Sequence, residues 1–329
     1  MAELLMLIDK FGRTIDYLRI SVTDRCNLRC SYCIPKGFND FETPDHWLTF
    51  DELMRVVRAF VRLGTKRFRL TGGEPLVRKN LTDLVHRIKK IDEVEDLSIT
   101  TNGTLLTSHA KSLFEAGLDR LNISLDSLNR KNIEDITGLD CLEQVMEGLR
   151  TAKQLGFHKI KINMVVLPDK NMAEIERMLE FCIEHGFILC LIEVMPMGKT
   201  GQNMTTVSLQ PIIQELRKHY DLRSTMKIIG NGPARYWETS TGNVCLGLIT
   251  PLSQHFCATC NRVRLSVDGT LYMCLGQDNN FALRPLLRNH CSDKELDQVI
   301  QEAIELKPKE HDFLKQPNKI MRIMSKTGG

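Results

Sequence analysis

The sequence predicts an α/β fold on a parallel sheet, followed by a smaller α+β region. Between residue 17 and about residue 197, short β-like runs alternate with amphipathic helical stretches. Glycines 64, 117, 156 and 186 fall just after four of those stretches, where a left-handed C-terminal cap is wanted. After Gly198 the alternation breaks.

In chain order, strands are expected at 17–22, 66–70, 96–100, 121–125, 159–165 and 189–195. Helical spacing falls between them at 50–63, 81–91, 105–116, 142–155 and 173–185. The first of these helices gathers Leu53, Val56, Val57, Phe60 and Val61 on one side. Six βα units in a row imply a parallel sheet with right-handed crossovers. A doubly wound sheet and a partial (β/α) barrel both fit this rhythm. Beyond Gly198 the pattern predicts helices near 209–219 and 293–306 and short strands near 244–249 and 263–272. With no repeat, low-complexity run or linker, 199–329 is expected to pack against 1–198 rather than hang from it.

The chain has 329 residues, enough for about two domains, and its 42% apolar and 26% charged content is globular. A net charge of +3 gives no reason to expect a nucleic-acid partner. No apolar run approaches the ~18 residues of a membrane helix. Residues 4–8 are too short for a signal-peptide core, so the chain reads as soluble and cytoplasmic.

Eleven cysteines are an odd number and suit a disulfide framework poorly. Cys26, Cys30 and Cys33 follow the first strand, where parallel α/β folds build their sites. Cys257, Cys260 and Cys274 form a second triplet, and the other five are read as core residues. Three thiolates are one short of closing a zinc site or a four-iron cluster. Thiol count alone leaves both open for each triplet, with Cys245, Cys291 or a histidine available to complete the second. Thr71-Gly72-Gly73-Glu74-Pro75 follows the second strand. Its glycines allow close approach to a small polar ligand, and Glu74 can hold an ammonium. Arg67 and Arg69 share one face of the second strand, Arg262 and Arg264 share another, and Arg19 sits in the first strand. Inward-facing arginines need an anion, and the guanidinium fork suits phosphate.

CxxxCxxC with an aromatic before its last cysteine, followed by the Gly-Gly-Glu loop, resembles the radical S-adenosylmethionine superfamily. Within it the chain resembles the GTP 3′,8-cyclases, which open molybdenum-cofactor biosynthesis. The likeness runs from LRISVTDRCNLRCSYC through RLTGGEP, TTNG, NISLDSL and LIEVMPMG to FCATCNRVRLS and Gly328-Gly329. It implies an incomplete (β/α)6 TIM-like barrel over 1–198, closed laterally by an α+β region, 199–329, that carries a second cluster. It also implies that Cys26, Cys30 and Cys33 hold one [4Fe-4S] cluster and Cys257, Cys260 and Cys274 another. Tyr32, Gly73, Ser124 and Met195 would line the S-adenosylmethionine site. Arg19, Arg69, Thr100, Lys161, Arg262 and Arg264 would bind GTP, the last two positioning it for catalysis, and Gly328 and Gly329 would reach toward it.

The implied reaction joins C3′ to C8 of GTP, giving (8S)-3′,8-cyclo-7,8-dihydroguanosine 5′-triphosphate. A reductant protein and the next enzyme, cyclic pyranopterin monophosphate synthase, are the implied partners of a monomer or homodimer. Relatives often carry an arginine where this chain has Cys190, which removes a possible triphosphate contact; Cys190 itself is read as core. The alternatives are a peptide-modifying radical enzyme, and a zinc- or cluster-binding regulator without turnover. The second explains the thiols but not the Gly-Gly-Glu loop.

Overall fold

The computed structural model describes residues 6–227, 229–313, 315–316 and 320–328. Its strands are β1 (Tyr17–Ser21), β2 (Arg67–Thr71), β3 (Asp96–Thr101), β4 (Arg120–Ser124), β5 (Ile160–Val165) and β6 (Ile188–Ile192). They continue as β7 (Arg223–Thr225), β8 (Arg235–Glu238), β9 (Val244–Ile249), β10 (Arg262–Leu265), β11 (Thr270–Tyr272) and β12 (Asn280–Ala282). Among the described residues these make one sheet in the order β12-β11-β10-β1-β2-β3-β4-β5-β6-β9-β8-β7. Pairing is parallel from β10 through β1–β6 to β9 and antiparallel at both ends. The fold is therefore α/β with a large parallel sheet. The segment after Gly198 shares that sheet: β9 extends it beside β6, and β10 beside β1.

Helices α1 (Phe50–Arg62), α2 (Leu81–Lys89), α3 (Leu106–Glu115), α4 (Arg130–Thr137), α5 (Leu142–Gln154) and α6 (Ile175–His185) connect the central strands. At the start of α1, Thr49 and Glu52 satisfy each other's backbone N–H groups in a capping box. The four glycines expected to end helices all adopt positive φ. Helix α4 was not among the expected elements; it is short and buries only Ile133, Ile136 and Thr137.

The strands alternate. Leu18, Ile20, Phe68, Leu70, Leu121 and Ile123 join one continuous apolar core. The other face presents Arg19, Arg69, Asn122 and Lys161, and these are buried too. A parallel sheet covered on both sides normally reads as continuous apolar runs. Burying one polar face instead reserves it for a site. Among the described residues no helix is long and apolar enough to cross a membrane.

Candidate functional site

The polar face lines a cavity with about 1080 Å³ of unfilled space, its open side included. Side chains from β1, β2, β4, β5, β6, β9 and β10 all reach it, which requires the sheet to curve around it. Five cations line it: Arg19, Arg69, Lys161, Arg262 and Arg264, each no more than 8% exposed. Among the described residues none of the five has a carboxylate at ion-pair distance, in contrast to Arg120, which lies 2.5 Å from Asp96.

Their polar atoms are only partly satisfied. The Nε atoms of Arg19 and Arg262 are buried without a partner. Arg69 Nε donates to Ser98 Oγ at 3.2 Å, and Arg264 Nη1 donates to the Gly328 carbonyl at 2.5 Å. Lys161 Nζ donates to the Ile229 carbonyl at 2.8 Å and to the Tyr236 hydroxyl. Burial, joined by repulsion from Arg264 and Arg69, holds the Arg19 guanidinium well below its usual range. Burial lowers Arg264 to about 9 and Lys161 to about 8. Buried cations that repel one another are stabilised by an anion, and guanidinium forks match phosphate.

Two other expected residues are placed differently. Thr100 Oγ1 is buried without a partner on β3, one strand from the cavity-lining Asn122. Arg67 is not among the cavity-lining residues and pairs with Asp16 at 2.6 Å and Glu95 at 3.1 Å.

Cys257, Cys260 and Cys274 line the same cavity. The antiparallel β10–β11 hairpin, with Arg264 opposite Tyr272, turns the chain so that Cys274 returns to the CxxC. Burial raises Cys257 and Cys274. Burial also acts upward on Cys260, but Lys307 and Arg262 outweigh it and bring that thiol to about 7. Cys245 and Cys291, the possible fourth ligands, lie elsewhere: Cys245 in the apolar core, and Cys291 beside Arg55. Among the described residues, no three His, Cys, Asp or Glu side chains converge as ligands of a single metal ion.

Cys26, Cys30 and Cys33 lie on the loop after β1. The N–H groups of Cys33 and Ile34 both donate to the Cys30 carbonyl, at 2.9 and 3.2 Å, forming a tight turn. The end of α4 anchors this loop, with Arg29 N–H on Thr137 O and Ser31 N–H on Ile136 O, both at 2.8 Å. Burial first, and neighbouring thiols second, raise Cys30 and Cys33, the latter to about 12, and burial raises Cys26 to about 11. Cys26 Sγ accepts from Leu28 N–H at 3.4 Å and from Asn102 Nδ2 at 3.8 Å. Donors aimed at the Cys26 sulfur, and thiols near enough to perturb one another, suit thiolates that share the charge of an iron–sulfur cluster. Both triplets fit such a group.

The first triplet is not among the residues that line the cavity. The second lines the cavity; the first lies behind the terminal segment. Helix Met324–Thr327 brings Ser325 N–H onto Cys33, while the Gly328 carbonyl accepts from Arg264. A Cβ on Gly328 would stand 2.3 Å from Thr71 Cγ2, so only glycine passes there. Gly329 lies outside the described residues.

The Gly-Gly-Glu loop serves the thiol loop directly. A Cβ would stand 2.1 Å from the Thr23 carbonyl oxygen at Gly72 and 2.3 Å from the Arg25 carbonyl oxygen at Gly73. The glycines are needed for backbone packed on backbone. Glu74 is fully buried beside them and already hydrogen-bonded. Its carboxylate accepts from Leu76 N–H, Thr101 Oγ1 and Asn102 N–H, at 3.0, 2.6 and 2.6 Å. Tyr32 donates to Asp126 at 2.8 Å, Ser124 ends β4, and Met195 lines the cavity.

Cys190, expected in the core, is 1% exposed and also lines the cavity, its sulfur beside Gly247 and Tyr236. Asn122, Asn163 and Tyr236 also line it without having been singled out. The alternation that marks Arg67 and Arg69 applies equally to the two asparagines, whereas nothing local marks Tyr236.

The profile of the Radical SAM superfamily matches residues 20–182, and that of Molybdenum Cofactor Synthesis C matches 187–313. A GTP 3′,8-cyclase of Ectopseudomonas mendocina is 44% identical over 328 residues, covering 98% of each chain. One from Clostridium perfringens is 41% identical and covers 98% of this chain and 99% of its own. Among solved structures, Streptococcus suis SuiB bound to S-adenosylmethionine superposes with a TM-score of 0.66 at 14% identity. It covers 97% of this chain and 78% of its own, a likeness of fold.

Proposed function

The chain belongs to the GTP 3′,8-cyclase family of radical S-adenosylmethionine enzymes, and we propose that its cation-lined cavity holds GTP between two cysteine-bound clusters. Cys26, Cys30 and Cys33 would hold one [4Fe-4S] cluster beside S-adenosylmethionine; Cys257, Cys260 and Cys274 would hold the other. When bound, the first cluster and S-adenosylmethionine supply a carbon radical able to remove a hydrogen atom. The protein contributes aim and shielding. Arg19, Arg69, Lys161, Arg262 and Arg264 grip the triphosphate, Thr100 offers a hydroxyl, and Tyr32, Gly73, Ser124 and Met195 surround the sulfonium donor. Gly328 stands between the two sites, its carbonyl held by Arg264.

The observation carrying this reading is the set of five buried cations without acid partners on the cavity face. We also read the curved sheet as an incomplete (β/α)6 barrel over 1–198, closed laterally by 199–329. Supporting this, β9 and β10 flank β6 and β1. An external reductant, handover to cyclic pyranopterin monophosphate synthase and a cytoplasmic location follow from the family reading alone.

The test is anaerobic reconstitution with iron and sulfide, followed by turnover. Two four-iron clusters per chain are expected. Replacing Arg262 and Arg264 together by alanine should abolish GTP turnover while S-adenosylmethionine cleavage without GTP stays measurable. Surviving cyclisation would overturn the assignment.

A further inference from the structure

Lys307 is a fully buried lysine outside every motif used above. It follows helix Asp293–Ile304, its N–H bonding back to the Ile304 carbonyl at 2.9 Å. Its ammonium directs three contacts inward: the Arg262 carbonyl at 2.8 Å, the Met273 carbonyl at 2.8 Å and Cys260 Sγ at 3.6 Å. Arg262 lies two residues after Cys260, and Met273 immediately precedes Cys274. One ammonium thus ties together the two arms that carry the second thiol triplet, using all three of its donors. Among the described residues no carboxylate lies at ion-pair distance from it. A buried ammonium held by two carbonyls and one sulfur is costly unless an anion lies beside it. Three thiolates on a four-iron cluster in its 2+ state leave a net negative charge against that ammonium.

Resting on the reading of this triplet as a cluster site, we propose that Lys307 is a positioning residue for the second cluster. It holds Cys260 and Cys274 in register and favours the reduced cluster by placing a positive charge and an N–H donor on the Cys260 sulfur. Hydrogen bonds to cluster sulfurs are an established lever on reduction potential. Removing charge and donor together therefore disfavours the added electron.

The experiment uses full-length chain in which Cys26, Cys30 and Cys33 are replaced by alanine, so that only the second site loads. Iron content and a redox titration followed by electron paramagnetic resonance are measured for Lys307 and for Lys307→Met and Lys307→Arg. At the potential where the Lys307 protein is half reduced, the reduced-to-oxidised ratio of Lys307→Met is expected to fall about tenfold. That corresponds to ~59 mV for one electron. Lys307→Arg, which keeps charge and donors, is expected to restore most of the ratio. Iron loss in Lys307→Met with loading in Lys307→Arg also supports the proposal. An unchanged potential in loaded Lys307→Met overturns it, as does a folded Lys307→Arg that loads no iron. If the Lys307 protein itself loads no second cluster, the cluster reading fails instead.

Discussion

Replacing Arg264 by methionine separates two consequences of burying a cation without an acid partner. Burial, with Arg262 and Arg322 next in weight, lowers this guanidinium from 12.5 to about 9. A cation lowered in the fold opposes folding at every pH below its folded value. The opposition disappears only as pH rises from about 9 toward 12.5. At ~1.36 kcal/mol per pH unit, the shift corresponds to about 5 kcal/mol at pH 7. Methionine forfeits the bond to the Gly328 carbonyl, worth about 1.5–3 kcal/mol for a charged donor. The variant should therefore be more stable by about 2–3.5 kcal/mol. With an unfolding entropy of ~2.1 cal/mol/K per residue over 329 residues, its Tm rises by about 3–5 °C. GTP affinity moves the other way, because the charge-assisted contact the variant loses is worth about tenfold or more. Thermal unfolding of metal-free protein at pH 7, with and without GTP, reads both effects. A variant that is less stable than the parent and binds GTP equally well would refute the reasoning.

Gly73→Ala pushes a Cβ to within 2.3 Å of the Arg25 carbonyl oxygen, so backbone must move and the thiol loop with it. A loss of about 1–3 kcal/mol is expected, with iron loading falling at the first site only, as read by iron content and thermal melts. Lys161 titrates at about 8, so it loses its charge as pH rises through that value. GTP binding should weaken between pH 7 and 9, and Lys161→Arg should move that decline upward; equilibrium binding across this range checks it. Cys190→Ser should keep the full iron content and turnover, because Cys190 faces the cavity beside Tyr236 and joins neither triplet.

The six central strands were legible as short β-like runs between helical stretches, and Arg69 and Arg264 were legible as members of alternating pairs. What was not legible is non-local. β10 pairs with β1 across more than two hundred residues, with Tyr17 opposite Arg262, and no local pattern encodes such a partner. The path of residues 324–328 between the thiol triplets depends on the Arg264 and Thr71 contacts, which only the fold creates. Gly72 and Gly73 were legible as a special loop, but not the backbone on which they pack. Their neighbours are Thr23 and Arg25, about fifty residues away in the chain. Lys307 is one lysine among ordinary helix-end residues, and only its burial distinguishes it.

GTP deuterated at C3′, incubated anaerobically with reconstituted protein, S-adenosylmethionine and dithionite, probes the central reading most directly by mass spectrometry. The account predicts one deuterium in 5′-deoxyadenosine and a triphosphate product of the elemental composition of GTP with that deuterium replaced by hydrogen. Recovery of unchanged GTP, or product formed with its deuterium retained, would contradict it.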